Sequence, residues 1–195
     1  MIISDKISER YRKYIIGIKY KGNLRYILWS SSKEGEDYFA VNERKKIIYS
    51  VSINDLKFFL NKNISNQVDP DLLFLWLKNH KSQNSYNIYD LDHILFILNN
   101  QNFNLSNCTT DELNELLDFR NLFSDYVYQI DSKKYLKILK SRNQAQFFNY
   151  ANAHCLWLND HKNTRLKDTF NHENFTNEFI KCIDFFVSCF ILGEI

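Results

Sequence analysis

Glycine and proline are scarce in this 195-residue chain, which has four Gly and one Pro. Gly17, Gly22 and Gly35 lie close to the N-terminus, none recurs before Gly193, and Pro70 is the single proline. These two residue types supply most tight turns, so their distribution predicts a short β-rich start and a long, nearly uninterrupted helical remainder.

Other absences remove function classes. Phosphate-cradling loops need closely spaced glycines, and Gly17 and Gly22 match neither GxGxxG nor a P-loop. Neither GxSxG nor a glycine-flanked cysteine occurs, and the threonines of Asn107-Cys108-Thr109-Thr110 read as helix caps. The five histidines (80, 93, 154, 161, 172) form no HxxxH or HExxH, and the four cysteines form no CxxC. His154 and His161, seven apart, could share a helix face beside Cys155, but zinc sites usually show closer ligand pairs, so no metal or other cofactor is expected. On a helix Cys182 and Cys189 would stand about 10 Å apart, beyond disulfide reach. Reduced core cysteines in a cytosolic protein follow.

Long apolar runs are missing too. Phe175 to Ile195 is interrupted by Lys181 and Asp184, leaving less than the roughly 18 to 20 residues that span a bilayer. It reads as a buried helix, with no membrane partner. The start, Met-Ile-Ile-Ser-Asp-Lys, lacks the apolar stretch and small-residue cleavage site of a secretory signal, which predicts a cytoplasmic protein.

What is present is apolar and aromatic: 45% hydrophobic and 16% Phe, Trp and Tyr. That composition fits a packed interior rather than disorder. The length suits one domain over 1–195, burying about 70% of its unfolded surface. Asparagine-rich stretches at 61–66, 79–87 and 99–107 read as polar connections.

Tyr14–Tyr20 and Arg25–Ser30 flank Lys21-Gly22-Asn23 as a hairpin; Tyr38–Val41 and Ile47–Val51 extend it to an antiparallel meander of three or four strands. In the first strand Tyr14, Ile16, Ile18 and Tyr20 alternate with Lys13, Ile15, Gly17 and Lys19, predicting one covered and one partly wet face. After Val51 the period turns helical. Ser52 with Asp55, Asp69 before Pro70, Asp90 or Asp92, and the Thr109/Glu112 capping box mark helix starts. Further helices are expected over Ser132–Leu158, broken near Arg142, and over Glu173–Leu192. The predicted fold is α+β, with residues 1–51 a small meander packed against a predominantly helical bundle, 52–195.

Charge is unevenly laid out. Lys and Arg outnumber Asp and Glu by 11 to 6 over residues 1–50 and 9 to 6 over 132–195, whereas acids lead 11 to 5 over 51–131. The near-neutral total of +2 hides an acidic middle suited to a basic partner. The candidate partner-binding residues are the helix-start acids Asp69, Asp71, Asp90, Asp92, Asp111 and Glu112, with Glu115 and Asp118 continuing Asp111 as a ridge at i, i+4 and i+7. The same positions suit capping of exposed N–H groups, and an acidic helix face is commonly just solvated. The rival surface is basic. Lys133, Lys137, Lys140 and Arg142 surround Tyr135, while Arg10, Arg12, Lys13, Lys19, Lys21 and Arg25 interleave with tyrosines, a pattern suited to nucleic acid. A pI near 8.2 and the acidic middle weigh against it, so no nucleic-acid partner is expected.

The run Tyr14-Ile-Ile-Gly-Ile-Lys-Tyr-Lys-Gly-Asn-Leu-Arg-Tyr-Ile-Leu-Trp29, followed by Asp37–Val41, Lys46–Ser50 and Ser52–Leu56, resembles the opening meander and first helix of bacterial immunity proteins of contact-dependent growth inhibition and related polymorphic-toxin systems. The resemblance covers about sixty residues and carries no invariant motif. It implies a cytoplasmic, non-enzymatic protein that binds a cognate C-terminal toxin domain, often a basic nuclease, and masks its active site or substrate surface.

Overall fold

The structure, a computed structural model, describes residues 3–32, 34–101, 103–155, 166 and 169–193. The chain is α+β, with eight helices and a six-stranded, mostly antiparallel sheet among the described residues. It divides into two compact units, residues 1–89 with 188–195, and residues 90–187.

In the first unit, β1 (Lys13–Tyr20) and β2 (Asn23–Ser31) form the expected hairpin, with Tyr20 opposite Asn23. Its two-residue turn has Lys21 at φ 50° and Gly22 at φ 72°, the paired positive dihedrals that match the strand twist. β3 (Asp37–Phe39) and β4 (Ile47–Ser50) both pair antiparallel with β2, β3 against Trp29–Ser31 and β4 against Tyr26–Ile27. The order is β5-β1-β2-β4-β6, with β3 also on β2.

Three elements depart from the sequence reading. Helix α1 (Ile3–Tyr11) precedes the hairpin. Strand β5 (Asn87–Asp90) begins where the Asn-rich stretch reads as a connection. The C-terminal helix stops at Ser188, and Phe190–Leu192 forms β6, parallel to Ile47–Tyr49. The Ile47 N–H donates to the Cys189 carbonyl and the Gly193 N–H to that of Tyr49. A Phe-Ile-Leu run continues a helix or makes a strand equally well, and here the edge of β4 decides. A Cβ at Gly193 would lie 3.0 Å from the Phe59 ring, so a bulkier residue would crowd this closure.

The half-wet first strand is corrected as well. Ile15, Ile16 and Ile18 are each at most 2% exposed, so both faces of β1 are covered. Ile15 joins Leu28, Ile48, Leu56, Leu60 and Trp76 in one core cluster beneath α2 (Ile53–Lys62) and α3 (Pro70–Asn79). Ser52 caps α2 by accepting from the Asp55 N–H. Asp69 does not cap α3; it sits at φ 52° with no side-chain cap bond, its carboxylate accepting instead from the Tyr38 hydroxyl.

The second unit is helical: α4 (Leu91–Leu98), α5 (Thr110–Gln129), α6 (Lys133–Leu139), α7 (Arg142–Cys155) and most of α8 (His172–Ser188). The expected break falls between Leu139 and Arg142, and the Thr109/Glu112 box opens α5. Leu158 and His161 lie outside the described residues. Phe119, Phe123, Phe147, Phe175, Phe179 and Phe186 are buried, and Asn177, Lys181, Asp184 and Ser188 form the exposed polar stripe of α8. All four cysteines are among the described residues and are free thiols.

Candidate protein-interaction site

Leu91, Ile94, Ile97 and Leu98 turn one side of α4 inward, which leaves Phe96 on the opposite side, 73% exposed. The Asp90 carboxylate caps this helix by accepting from the His93 N–H, 3.0 Å away, and Asp92 sits in its first turn. His93, one turn before Phe96, stacks on it with ring centroids 6.3 Å apart at 14°. Its Nδ1 lies 2.6 Å from Glu115 Oε2 on α5.

That bond raises the His93 pKa above its ordinary value; partial desolvation opposes the rise, and the charges of Glu115, Asp90 and Glu112 reinforce it. Glu112 is itself fixed: its carboxylate accepts from the Thr109 N–H at 2.7 Å and the Thr109 hydroxyl accepts from the Glu112 N–H at 3.2 Å. Asp111 is exposed in the first turn of α5. Asp118 points its influence elsewhere. Partial desolvation raises its carboxyl above the ordinary value, and its charge acts on Cys155 of α7.

The second unit thus gathers Asp90, Glu112 and Glu115 about His93, with Asp92 and Phe96 on the same short helix. The ridge of Asp111, Glu115 and Asp118 is not uniform, because Glu115 bonds to His93 of α4 while Asp111 and Asp118 are exposed. Asp69 and Asp71 belong to the first unit. His93 and Phe96 were missed by the sequence reading, although Phe96 falls out of phase with the apolar stripe of α4, which is a signal of an outward aromatic.

The basic candidates are dispersed. Lys13 is 1% exposed, Lys21 lies over Tyr20 and Arg25 over Tyr49, and Tyr14 packs on Trp29 and Tyr86. These tyrosines are partly engaged by the chain's own side chains. Lys133, Lys137, Lys140 and Arg142 are exposed on α6 and at the start of α7.

Among the described residues no three His, Cys, Asp or Glu side chains converge as a metal site requires, and no helix is long and apolar enough to cross a membrane. An exposed aromatic ring on a helix that also bears carboxylates has the chemistry to receive a cationic side chain, through ring stacking and charge-assisted hydrogen bonds.

No protein-family model matches this chain, and no curated protein matches it. Among solved structures, the crystal structure of the SatS C-terminal domain in complex with bromine is similar, at TM-score 0.62 and 15% identity over 95% of this chain and 96% of that one. At that identity the likeness concerns the fold.

Proposed function

We propose that the protein is a cytoplasmic, non-enzymatic immunity protein that binds a basic toxin domain through the α4–α5 surface. The observation that carries the reading is Phe96: 73% exposed, stacked on His93, and carried on a helix whose first turn bears Asp92. Exposed aromatics are the residues that dominate binding energy when a partner buries them, and surrounding charge of one sign selects the partner and speeds encounter. The resemblance of the first sixty residues to immunity proteins and the acidic composition of residues 51–131 support the same reading. The carboxylates would occupy the place of nucleic-acid phosphates on a nuclease.

The test is to sequence the reading frame immediately upstream, where a large toxin gene is expected, and to titrate the C-terminal domain of its product by calorimetry. Phe96→Ala and Asp92→Lys should each weaken binding at least about tenfold, while charge reversal at Lys133, Lys137 and Lys140 leaves it intact. The opposite pattern would move the interface to α6, and salt-sensitive binding to random oligonucleotides without toxin binding would favour the nucleic-acid reading.

A further inference from the structure

Helix α3 turns Leu73 and Trp76 into the core, at 1% and 0% exposure. Its other side carries Asp71, Phe74, Leu75 and Lys78, spaced i, i+3, i+4 and i+7 and therefore one stripe. All four are exposed, Phe74 by 52% and Leu75 by 42%, and Val68 just ahead of the helix by 48%. Two adjacent large apolar side chains between two charges are more than the scattered hydrophobics of an ordinary surface.

The stripe is a charge palindrome. Asp71 and Lys78 have opposite signs and lie at equal distances from the midpoint between Phe74 and Leu75. A two-fold axis through that midpoint sets a second α3 antiparallel to the first, with Phe74 and Leu75 meeting their own copies and Asp71 facing Lys78 twice. We propose that α3 is an isologous dimerisation surface and that its occupant is a second copy of this chain. The stripe fits its own copy in this orientation by both polarity and charge, as an isologous contact requires. A partner with a patch of one charge would meet repulsion at one end of it. Antiparallel helices approach to about 8–10 Å, and the stripe runs roughly 10 Å along the axis, so the contact is small and the dimer reversible.

Sedimentation velocity of the full chain over a wide dilution series tests this. The expected result is a concentration-dependent monomer–dimer equilibrium that Phe74→Glu abolishes. Asp71→Lys and Lys78→Asp alone should each weaken dimerisation by about tenfold, since each replaces two attractions with two repulsions. The double variant, Asp71→Lys with Lys78→Asp, should restore it. Rescue is diagnostic because the double swap places the wrong charge at both ends of α3 and so slightly destabilises the helix, which rules out recovery through better folding. Thermal melts verify that each variant is folded. A protein monomeric throughout the series, a dimer indifferent to Phe74→Glu, or a double variant no better than the single ones would overturn the proposal.

Discussion

The Lys13 ammonium donates to the Tyr38 hydroxyl at 2.7 Å, inside a unit where Lys13 is only 1% exposed. Tyr38 donates in turn to Asp69 Oδ2 at 3.2 Å, and that same oxygen lies 3.9 Å from the ammonium. The network joins the start of β1, β3 and the entry to α3. Burial lowers the Lys13 pKa, partly opposed by Asp69, and burial together with the Asp69 charge raises that of Tyr38. A buried cation depends on its partners, because desolvation is recovered only through them.

Removing the charge of Asp69 should therefore cost stability. Asp69→Asn keeps a residue that tolerates the left-handed backbone but leaves the buried ammonium without its counter-charge, so a loss of about 1–3 kcal/mol is expected in urea unfolding. Lys13→Met removes charge and need together and should be much closer to neutral. An Asp69→Asn variant as stable as the parent would show the network contributes nothing.

His93 gives a pH dependence of defined sign. Its folded pKa is raised, chiefly by the bond to Glu115. The stabilisation is thus fully present below the unfolded value near 6.5 and is lost as pH rises through the folded value. Glu115→Gln should move the His93 ring resonances back toward ordinary titration in NMR and lower stability at pH 5 but not at pH 9. An unchanged titration would contradict the pair.

Thr109→Ala should destabilise by about 1 kcal/mol, measured by chemical denaturation, through loss of the α5 cap. Glu112→Lys should behave similarly, since Glu112 closes the other half of the box. Reduced toxin binding by a Glu112 variant then counts as recognition only if stability is held fixed.

Thiol reactivity should be ordered by burial. The Cys182 thiol is pushed up to about 12 and Cys108 up to about 11, desolvation leading in both. At pH 8 neither supplies much thiolate. Titration with a disulfide reagent, read by mass spectrometry, should find the buried Cys182 and Cys189 unreactive until the chain unfolds. Rapid labelling of native Cys182 would place it nearer solvent than its 3% exposure.

Local sequence determined the elements whose signals are local. The hairpin followed from Gly22, the caps of α2 and α5 from Ser52 and Thr109, the start of α4 from Asp90 or Asp92, and most of α8 from its helical period. Each is governed by dihedral preference or by hydrogen bonds within a few residues, so the chain carries the information in one place. Tertiary structure decided what depends on distant partners. Phe190–Leu192 became a strand because β4 offered an edge more than a hundred residues away in sequence. Lys13, which reads as a surface cation, was withdrawn by Tyr38 and Asp69. Asp69 stays at the N-cap position of α3 but turns its carboxylate to them instead of capping. The candidate surface divides in the same way: the acidic bias, the helix-start carboxylates and the phase of Phe96 on α4 are legible in sequence, but the pairing of His93 with Glu115 required α4 and α5 to be packed together. Burial and charge pairing are properties of the assembled chain, and no window of sequence contains both members of such a contact.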